Sequence, residues 1–489
     1  MKRNNLTTAV LAGITGVAGI ASVSNAVNLN SDGVGQVLIY PYYTVNNDLN
    51  TVISVVNTTD DVKAIKVRFL EGKNSREVLD FNLYMSAYDV WTAALIPTLS
   101  TVPGYAGQDS VKLVTFDNSC TTPAINGQEF LPYAFTGDFN DTIGSDLARA
   151  TEGHLEMIEM GTVIGSDANA ATHNSSGVPA SCNTLVGNWS PPTGKWISDA
   201  SINIVDPDGT GGLFGSASLV DVAEGVDFAY NADAIQNFTL SQLHSAPGDL
   251  FPSLITGSET QSIVFYEGQA VATDWLTSSV EAVSASYMHQ NLYGEYALDA
   301  DISAKTEWVV TFPTKSFYVD PARSISPVPV EPFTRARSSN GACEPYTVAG
   351  FFDREEQTPL IPVGDLVPSP IPPGEDPTVP VFCWEANVLE FTFGAANTGT
   401  SEVLGSDNTT HLGSEFYNGW MNLLFATQFT DNGVASPGGS VQTYFGLPVT
   451  GFAVQKFTNS NAQPGLLAQY GGLFPHRGLK NISSASSGP

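Results

Sequence analysis

Basic residues are scarce in this chain, and charged residues of either sign are few. Its 489 residues include 19 Lys and Arg against 49 Asp and Glu, which gives a formal net charge of -30 and a charged fraction of 14%. Soluble proteins average about 25% charged residues. Nucleic-acid binders need clustered Lys and Arg for phosphate contacts, and anionic membrane surfaces attract basic segments, so the composition disfavours both partners. The apolar fraction of 42% is still enough to build hydrophobic cores.

Long apolar runs are also rare, and the first one has the pattern of an export signal. Lys2 and Arg3 precede an apolar, small-residue run from Leu6 to about Val23, and a small-x-small site ends at Ala26. This pattern predicts a signal peptide at 1–26. No later stretch approaches the roughly 18 apolar residues of a spanning helix, which predicts a mature chain without a transmembrane segment. We expect an exported protein of the periplasm, the cell surface or the extracellular space.

Common catalytic motifs are missing as well. The sequence has no Gly-x-Ser-x-Gly elbow, no Gly-x-x-x-x-Gly-Lys-Ser/Thr phosphate loop and no His-Glu-x-x-His zinc helix. His154 and Glu156 are the one local pair of candidate ligands, because alternate residues share a face of a strand. We therefore expect no enzyme, no catalytic residue and no cofactor.

Cysteine is limited to four residues, which allow three pairings. They are Cys120, Cys182, Cys343 and Cys383. An exported protein meets an oxidising compartment, and the spacings fit no zinc pattern, so we expect disulfides. Pairing in sequence order closes the shorter loops. In the chain-entropy model each bridge contributes about 4 kcal/mol.

The body of the chain has strand patterns. Apolar and polar residues alternate at 65–69, at 79–85, at 308–312 and at 389–393, and a β-branched run lies at 51–56. Short polar turns separate the three segments at 51–56, 65–69 and 79–85. The patterns predict a mainly β fold of antiparallel, immunoglobulin-like β-sandwiches with long loops and one or a few short helices.

One helix is predicted, together with a provisional division of the chain. Ser278 and Glu281 form a capping box, Val280, Val283 and Tyr287 follow at helical spacing, and Gly294 is the predicted stop. The division is a sandwich at 27–115, a loop-rich segment at 116–195, a second β-rich region at 196–478 with a Pro-rich loop at 359–380, and a disordered tail at 479–489.

Several short segments resemble a group of uncharacterised exported, β-rich proteins of Gram-negative bacteria. They are VLIYPYYT at 37–44, ISVVN at 53–57, FNLY at 81–84 and EWVVTFPTK at 307–315. The resemblance implies a cell-envelope or surface location. It implies no activity and no site residue.

Two ligand sites are worth considering. Asp206 and Asp208 precede Gly209 in the manner of the start of a calcium loop, although the third acidic ligand and the closing Glu are missing. Aromatic residues in or near loop-like sequence could stack on sugar rings, as glycan-binding sandwiches do. These aromatics are Tyr40, Tyr42, Tyr43, Trp189, Trp196, Trp275 and Trp420.

Three functions follow as hypotheses. The first is a non-enzymatic envelope or cell-surface protein that acts in adhesion or extracellular assembly, with a protein partner or further copies of itself. The second is a carbohydrate- or calcium-dependent binding module whose partner is a surface glycan. The third is a secreted hydrolase whose site is assembled from distant loops.

Overall fold

A computed structural model describes residues 25–137, 140–275, 277–324, 327–359, 380–431 and 440–486. The predicted signal peptide lies outside these residues except for Asn25 and Ala26. The predicted Pro-rich loop lies outside them except for its two ends. Within the described part of the chain, no helix has the length and apolar content needed to cross a membrane.

Strands dominate the described chain. In chain order they are β1 (Asn28–Leu29), β2 (Val37–Thr44), β3 (Leu49–Asn57), β4 (Val62–Glu71), β5 (Glu77–Met85), β6 (Val90–Leu99), β7 (Asp109–Val114), β8 (Cys120–Thr122), β9 (Gln128–Glu129), β10 (Glu152–Val163), β11 (Ile204–Val205), β12 (Leu213–Asp221), β13 (Val226–Asn231), β14 (Asp233–Gln236), β15 (Gln261–Tyr266), β16 (Gln269–Asp274), β17 (Met288–His289), β18 (Asn291–Ala297), β19 (Lys305–Thr311), β20 (Glu344–Pro345), β21 (Thr347–Asp353), β22 (Val381–Phe382), β23 (Ala386–Phe393), β24 (Thr409–Ser414), β25 (Asn418–Leu424), β26 (Gln428–Thr430), β27 (Ser440–Phe445), β28 (Leu447–Pro448), β29 (Thr450–Gln463), β30 (Leu466–Pro475), β31 (Arg477–Leu479) and β32 (Ile482–Ser486). The α-helices are short: α1 (Gly165–Ala171), α2 (Cys182–Asn188), α3 (Lys195–Ser198), α4 (Ser279–Tyr287) and α5 (Ser316–Val319). Single 3-10 turns lie at Tyr133–Phe135, Leu147–Thr151 and Ala300–Ile302.

Two large antiparallel sheets pack face to face as the first sandwich. The eight-stranded sheet has the order β1-β14-β2-β10-β4-β5-β8 with β11 paired to β10, and the six-stranded sheet has the order β13-β12-β3-β6-β7-β9. Their inner faces share one buried cluster, in which Phe81 of β5 lies 5.7 Å from Trp91 of β6. The chain is therefore mainly β with antiparallel sandwich layers and short helices, as predicted. The immunoglobulin-like topology stays a prediction.

The second sandwich shares a layer with the first. A five-stranded sheet (β24-β23-β19-β29-β30) packs on a four-stranded sheet (β21-β25-β18-β31), and Tyr296 of β18 stacks on Phe391 of β23 at 5.4 Å. The opposite face of the five-stranded sheet joins the core of the first sandwich, where Phe452 stacks on Tyr230 at 4.9 Å. The remaining small sheets are β15-β16, β17-β28, β20-β22 and β26-β27-β32.

The predicted division does not match the sheets. Strand β10 lies between β2 and β4 in the eight-stranded sheet, although it falls in the segment 116–195 predicted to be loop-rich. Strand β12 pairs with β3, so the first sandwich extends well beyond residue 115. The tail predicted to be disordered contains β32, which pairs with β27 and places Ile482 opposite Tyr444. Long-range pairing supplies the order that the local composition of these segments does not indicate.

The capping box forms as predicted, but the predicted helix stop is wrong. Ser278 caps α4, and the Glu281 side chain accepts from the Ser278 backbone N–H. Helix α4 ends at Tyr287, and Gly294 lies within β18 instead. A Cβ atom at Gly294 would come within 2.5 Å of the Trp308 ring, so the missing side chain makes room for a core tryptophan.

Central strand β19 anchors a loop through one buried carboxylate. Both oxygens of Glu307 accept backbone N–H groups, from Val403 at 2.5 Å and from Leu404 at 2.9 Å. Glu307 is fully buried. The segment that precedes β24 is thereby fixed to the shared sheet layer.

We predict that Glu307→Gln destabilises the fold by about 1–3 kcal/mol, because the amide NH2 then faces a backbone N–H that has lost its acceptor. The measurement is the free energy of urea unfolding. Glu295→Gln, on the exposed face of β18, is the matched control and is expected to cost almost nothing. Equal losses in the two variants would contradict the anchoring role of Glu307.

Candidate functional site

A layer of buried charge lies on the face of the eight-stranded sheet that points away from the first core. Period-two alternation in β4 points Ile65, Val67 and Phe69 into the core and turns Lys66 and Arg68 to the other side. Lys66 and Arg68 are nevertheless 0% and 1% exposed. A segment near residue 246 covers them, since Lys66 Nζ donates to Ala246 O at 2.9 Å. We call the following residues the charge layer: Lys66, Arg68, Glu71, Arg76, Glu77, Asp80, Asp141, Arg149, Glu156, Asp320 and Arg323.

Within the charge layer, Arg149 binds two carboxylates at once. Its guanidinium donates to both oxygens of Glu71, at 2.8 and 3.1 Å, and to both oxygens of Asp141, at 2.7 and 3.0 Å. Burial alone would raise the pKa of Asp141, but the hydrogen bonds and charge of Arg149 hold this pKa below its ordinary value. The turn after β4 is thereby fixed to the segment before β10.

Arg76 extends this connection to the second sandwich. Its Nη2 lies 2.9 Å from Asp320 Oδ2, and Asp320 directly follows α5. Arg337 Nη2 reaches the other Asp320 oxygen at 3.3 Å, and Nη1 of the same guanidinium donates to the Asp141 backbone carbonyl. Ser75 donates to Glu385, next to β23. The charge layer is therefore the polar junction between the two sandwiches.

A cavity of about 200 Å³ opens at this junction. Its apolar wall comprises Leu250, Phe251, Ile255 and Phe317, with Ala134 and Ala322 at the sides. Its polar wall comprises Arg68, Arg76 and Arg323, with Ser75, Glu77 and Ser253 beside them. We call it the arginine cavity.

His154 lies in the same region and is fully buried. It shares a face of β10 with Glu156, as the alternation predicts, but Glu156 pairs with Arg68 at 2.8 Å. Neither ring nitrogen of His154 has a hydrogen-bond partner among the described residues. Burial, followed by the charges of Arg323 and Arg68, lowers the pKa of His154 to about 3. His154 is therefore neutral in the fold at physiological pH.

A second feature of the surface is the hairpin of β29 and β30. From residue 457 to residue 470, every side chain that the structure describes is at least partly exposed. Leu466, Leu467 and Tyr470 are 50%, 54% and 47% exposed. We call residues 457–470 the arm. It projects beyond the five-stranded sheet, and in the described chain no strand pairs with the outer edge of β30.

A Ser-His-Asp grouping also occurs, but its geometry does not suit catalysis. Ser86 Oγ lies 2.7 Å from His173 Nδ1, and Asp89 Oδ2 lies 3.6 Å from the same nitrogen. A catalytic triad needs the serine and the carboxylate on opposite ring nitrogens. The grouping therefore adds no support to the hydrolase hypothesis.

Comparisons with known proteins give no further guide. Nothing matches this chain among protein-family models, curated proteins or solved structures. The resemblance to exported proteins of Gram-negative bacteria therefore stays a prediction. The geometry of the junction, the cavity and the arm carries the functional argument.

The cysteines pair in sequence order. Cys120 on β8 bonds Cys182 at the start of α2, and Cys343 bonds Cys383. The second bridge flanks the β20-β22 pair and encloses the Pro-rich segment. The prediction of disulfides is confirmed, and the shorter-loop pairing is the one formed.

The candidate calcium residues serve a turn in this structure. Asp206 accepts from the Gln242 backbone at 2.9 Å, and Asp208 accepts from the backbone and hydroxyl of Thr210 at 3.0 and 3.1 Å. In the described ranges, no group of three or more His, Cys, Asp or Glu side chains is placed to hold a metal ion. The calcium site stays a prediction without a geometric basis.

Most of the candidate glycan aromatics are core residues. Tyr40, Tyr42, Tyr43, Trp196 and Trp275 are buried, and Trp189 packs against Trp196 at 5.4 Å. Trp420 is the exception among them, because it is 40% exposed on β25 and stacks on Phe352 at 4.8 Å.

The arginine cavity and the arm were not predicted from the sequence. The cavity residues come from distant segments and form no motif. Residues 457–475, which include the whole arm, contain no Asp, Glu, Lys or Arg. Stretches without these residues also occur at 90–108 and at 432–455, so composition alone does not distinguish the arm.

We predict that Arg149→Met destabilises the fold by about 3–5 kcal/mol, because it leaves two buried carboxylates without their cation. The measurement is again the free energy of unfolding. Lys305→Met is the matched control, since Lys305 forms its ion pair with Glu402 at 2.8 Å on the exposed surface. That control is expected to cost about 0–1 kcal/mol. A small loss in Arg149→Met would show that the junction does not depend on this arginine.

We predict that His154→Leu gains stability relative to the native chain as the pH falls. Between pH 8 and pH 5 the unfolded histidine takes up a proton while the buried one stays neutral, so the native chain loses about 2 kcal/mol relative to the variant. Urea unfolding at both pH values measures the difference. Met157→Leu, on the same strand, should show the same offset at both values. A pH-independent offset for His154→Leu would contradict a neutral buried His154.

Proposed function

We propose that this chain is an exported protein of the cell envelope or cell surface that acts by extracellular assembly with further copies of itself, without catalysis. The arm is the observation that carries this proposal. It is an uncharged hairpin that exposes Leu466, Leu467 and Tyr470, on a chain of formal net charge -30. Like-charged copies repel each other across most of their surfaces, so close approach is least opposed where charge is absent.

The physical state of the arm supports association. A two-stranded hairpin with both faces in water is marginally stable at best, and an uncovered edge strand is a template for pairing. Between Leu466 and Tyr470, β30 belongs to such a hairpin, and its outer edge is uncovered in the described chain. Antiparallel pairing of this edge with the same edge of a second copy would extend the five-stranded sheet across two molecules.

One further finding favours an exported location, and another favours a role without catalysis. Both cysteine pairs form disulfides, and such bonds persist in oxidising compartments. Most ionisable side chains of the charge layer form ion pairs with one another at the sandwich junction, which favours a structural role for them.

We predict that Leu467→Lys abolishes assembly, because a charge on the strand edge blocks edge-to-edge pairing. Light scattering coupled to size-exclusion chromatography measures the molar mass over a range of concentrations. The native chain is expected to exceed the mass of one chain as concentration rises, whereas the variant stays at that mass.

Val222→Lys is the matched control for this experiment. Val222 is an apolar residue, 74% exposed, that lies outside the arm. This variant is expected to assemble as the native chain does. A native chain that stays monomeric throughout, or a Leu467→Lys variant that assembles normally, would overturn the proposal.

A further inference from the structure

The three arginines of the arginine cavity are unequally satisfied. Arg68 has two carboxylates, with Glu77 at 2.7 Å and Glu156 at 2.8 Å. Arg76 is paired with Asp320, but its buried Nε makes no hydrogen bond and lies 3.5 Å from Asp141 Oδ2. Arg323 donates from Nη1 to the Ser75 carbonyl at 2.7 Å. Among the described residues no carboxylate lies within 4.0 Å of the Arg323 guanidinium.

The surroundings of Arg323 disfavour an unpaired cation. The guanidinium stacks over the Phe317 ring at 4.9 Å and lines a largely apolar cavity. Burial, followed by the charge of Arg68, lowers the pKa of Arg323 below its ordinary value. Glu385 and Glu156 lie near enough to raise this pKa in part, but neither forms a direct ion pair with Arg323. An anion from outside would supply that direct contact.

The shape and chemistry of the cavity select the kind of anion. A guanidinium edge matches the planar, two-oxygen face of a carboxylate. Leu250, Phe251, Ile255 and Phe317 offer apolar contact to the rest of a ligand. Glu77 on the same wall disfavours a doubly charged phosphate. A volume of about 200 Å³ limits the ligand to a small molecule.

We propose that the arginine cavity binds a small monocarboxylic acid with an apolar body, the carboxylate on Arg323 and the body against Phe251 and Phe317. Nothing in this proposal depends on assembly through the arm, and the arm lies outside the cavity lining. The two proposals can therefore fail separately.

Calorimetric titration of the full mature chain with benzoate tests the site. Benzoate is expected to bind saturably, and benzamide, its neutral counterpart of the same shape, at least about tenfold more weakly. Inorganic phosphate is expected to bind more weakly than benzoate. No saturable benzoate binding, equal binding of benzamide, or tighter binding of phosphate would overturn the proposal.

Two variants locate the binding. Arg323→Gln is expected to weaken benzoate binding at least about tenfold. Arg477→Gln, an exposed arginine on β31, is the control and should bind as the native chain does. Ala322→Trp places a large side chain on the wall of the cavity and should abolish binding with all three arginines retained. If Arg323→Gln does not fold, as judged by circular dichroism, Ala322→Trp decides, and unchanged binding by that variant overturns the proposal.

Discussion

The structure depends on one guanidinium that holds two buried carboxylates. Arg149 fixes Glu71 and Asp141, and Asp141 in turn lies beside Arg76, which reaches Asp320 in the other sandwich. Each ion in this chain of contacts would be costly to bury alone, because desolvation exceeds what a single distant charge returns. The contacts therefore support one another. They add a polar junction to the hydrophobic layer that the two sandwiches share.

The same interaction explains the distribution of charge. The chain has few cations, and several of them are placed in the charge layer, where they neutralise carboxylates at the junction. The charge layer contains five cations and six carboxylates, so it is nearly neutral and the acidic excess of the chain lies outside it. That excess opposes close contact between copies.

Local patterns predicted the strands well, because alternation at 65–69 or at 389–393 reflects a core face directly. These patterns could not predict which distant residues and strands contact one another. Lys66 is covered by a carbonyl 180 residues away, and β3 pairs with a strand that begins at Leu213. Helix α1 was missed since its residues are mainly Ser, Asn, Ala and Gly, which a sequence pattern does not separate from loops. Helix α2 has seven residues, too few to show a helical period. The tail was missed for a related reason, because Ile482 is the one large apolar residue of β32.

The candidate sites also depend on contacts between distant segments, which the sequence pattern does not show. His154 and Glu156 were predicted to share a face, and they do. Burial, followed by the charges of Arg323 and Arg68, lowers the pKa of His154, while Glu156 pairs with Arg68. The cysteine pairing could be predicted in part, because closing a shorter loop costs less conformational entropy. The arginine cavity could not be predicted from the sequence. Arg68 and Arg76 lie close together in the chain, but Arg323 lies far from both and meets them only in the folded structure.

The arm follows from the same arrangement of charge. Lys456 is the last charged residue before the arm, and it pairs with Asp221 and Glu224 at the turn between β12 and β13. These contacts hold the base of the hairpin against the first sandwich. Beyond them, the strands carry no charge until Arg477, so no ion pair ties the tip to the body. The edge of β30 proposed for pairing therefore lies beyond the last ion pair of the hairpin, on a strand that carries no charge.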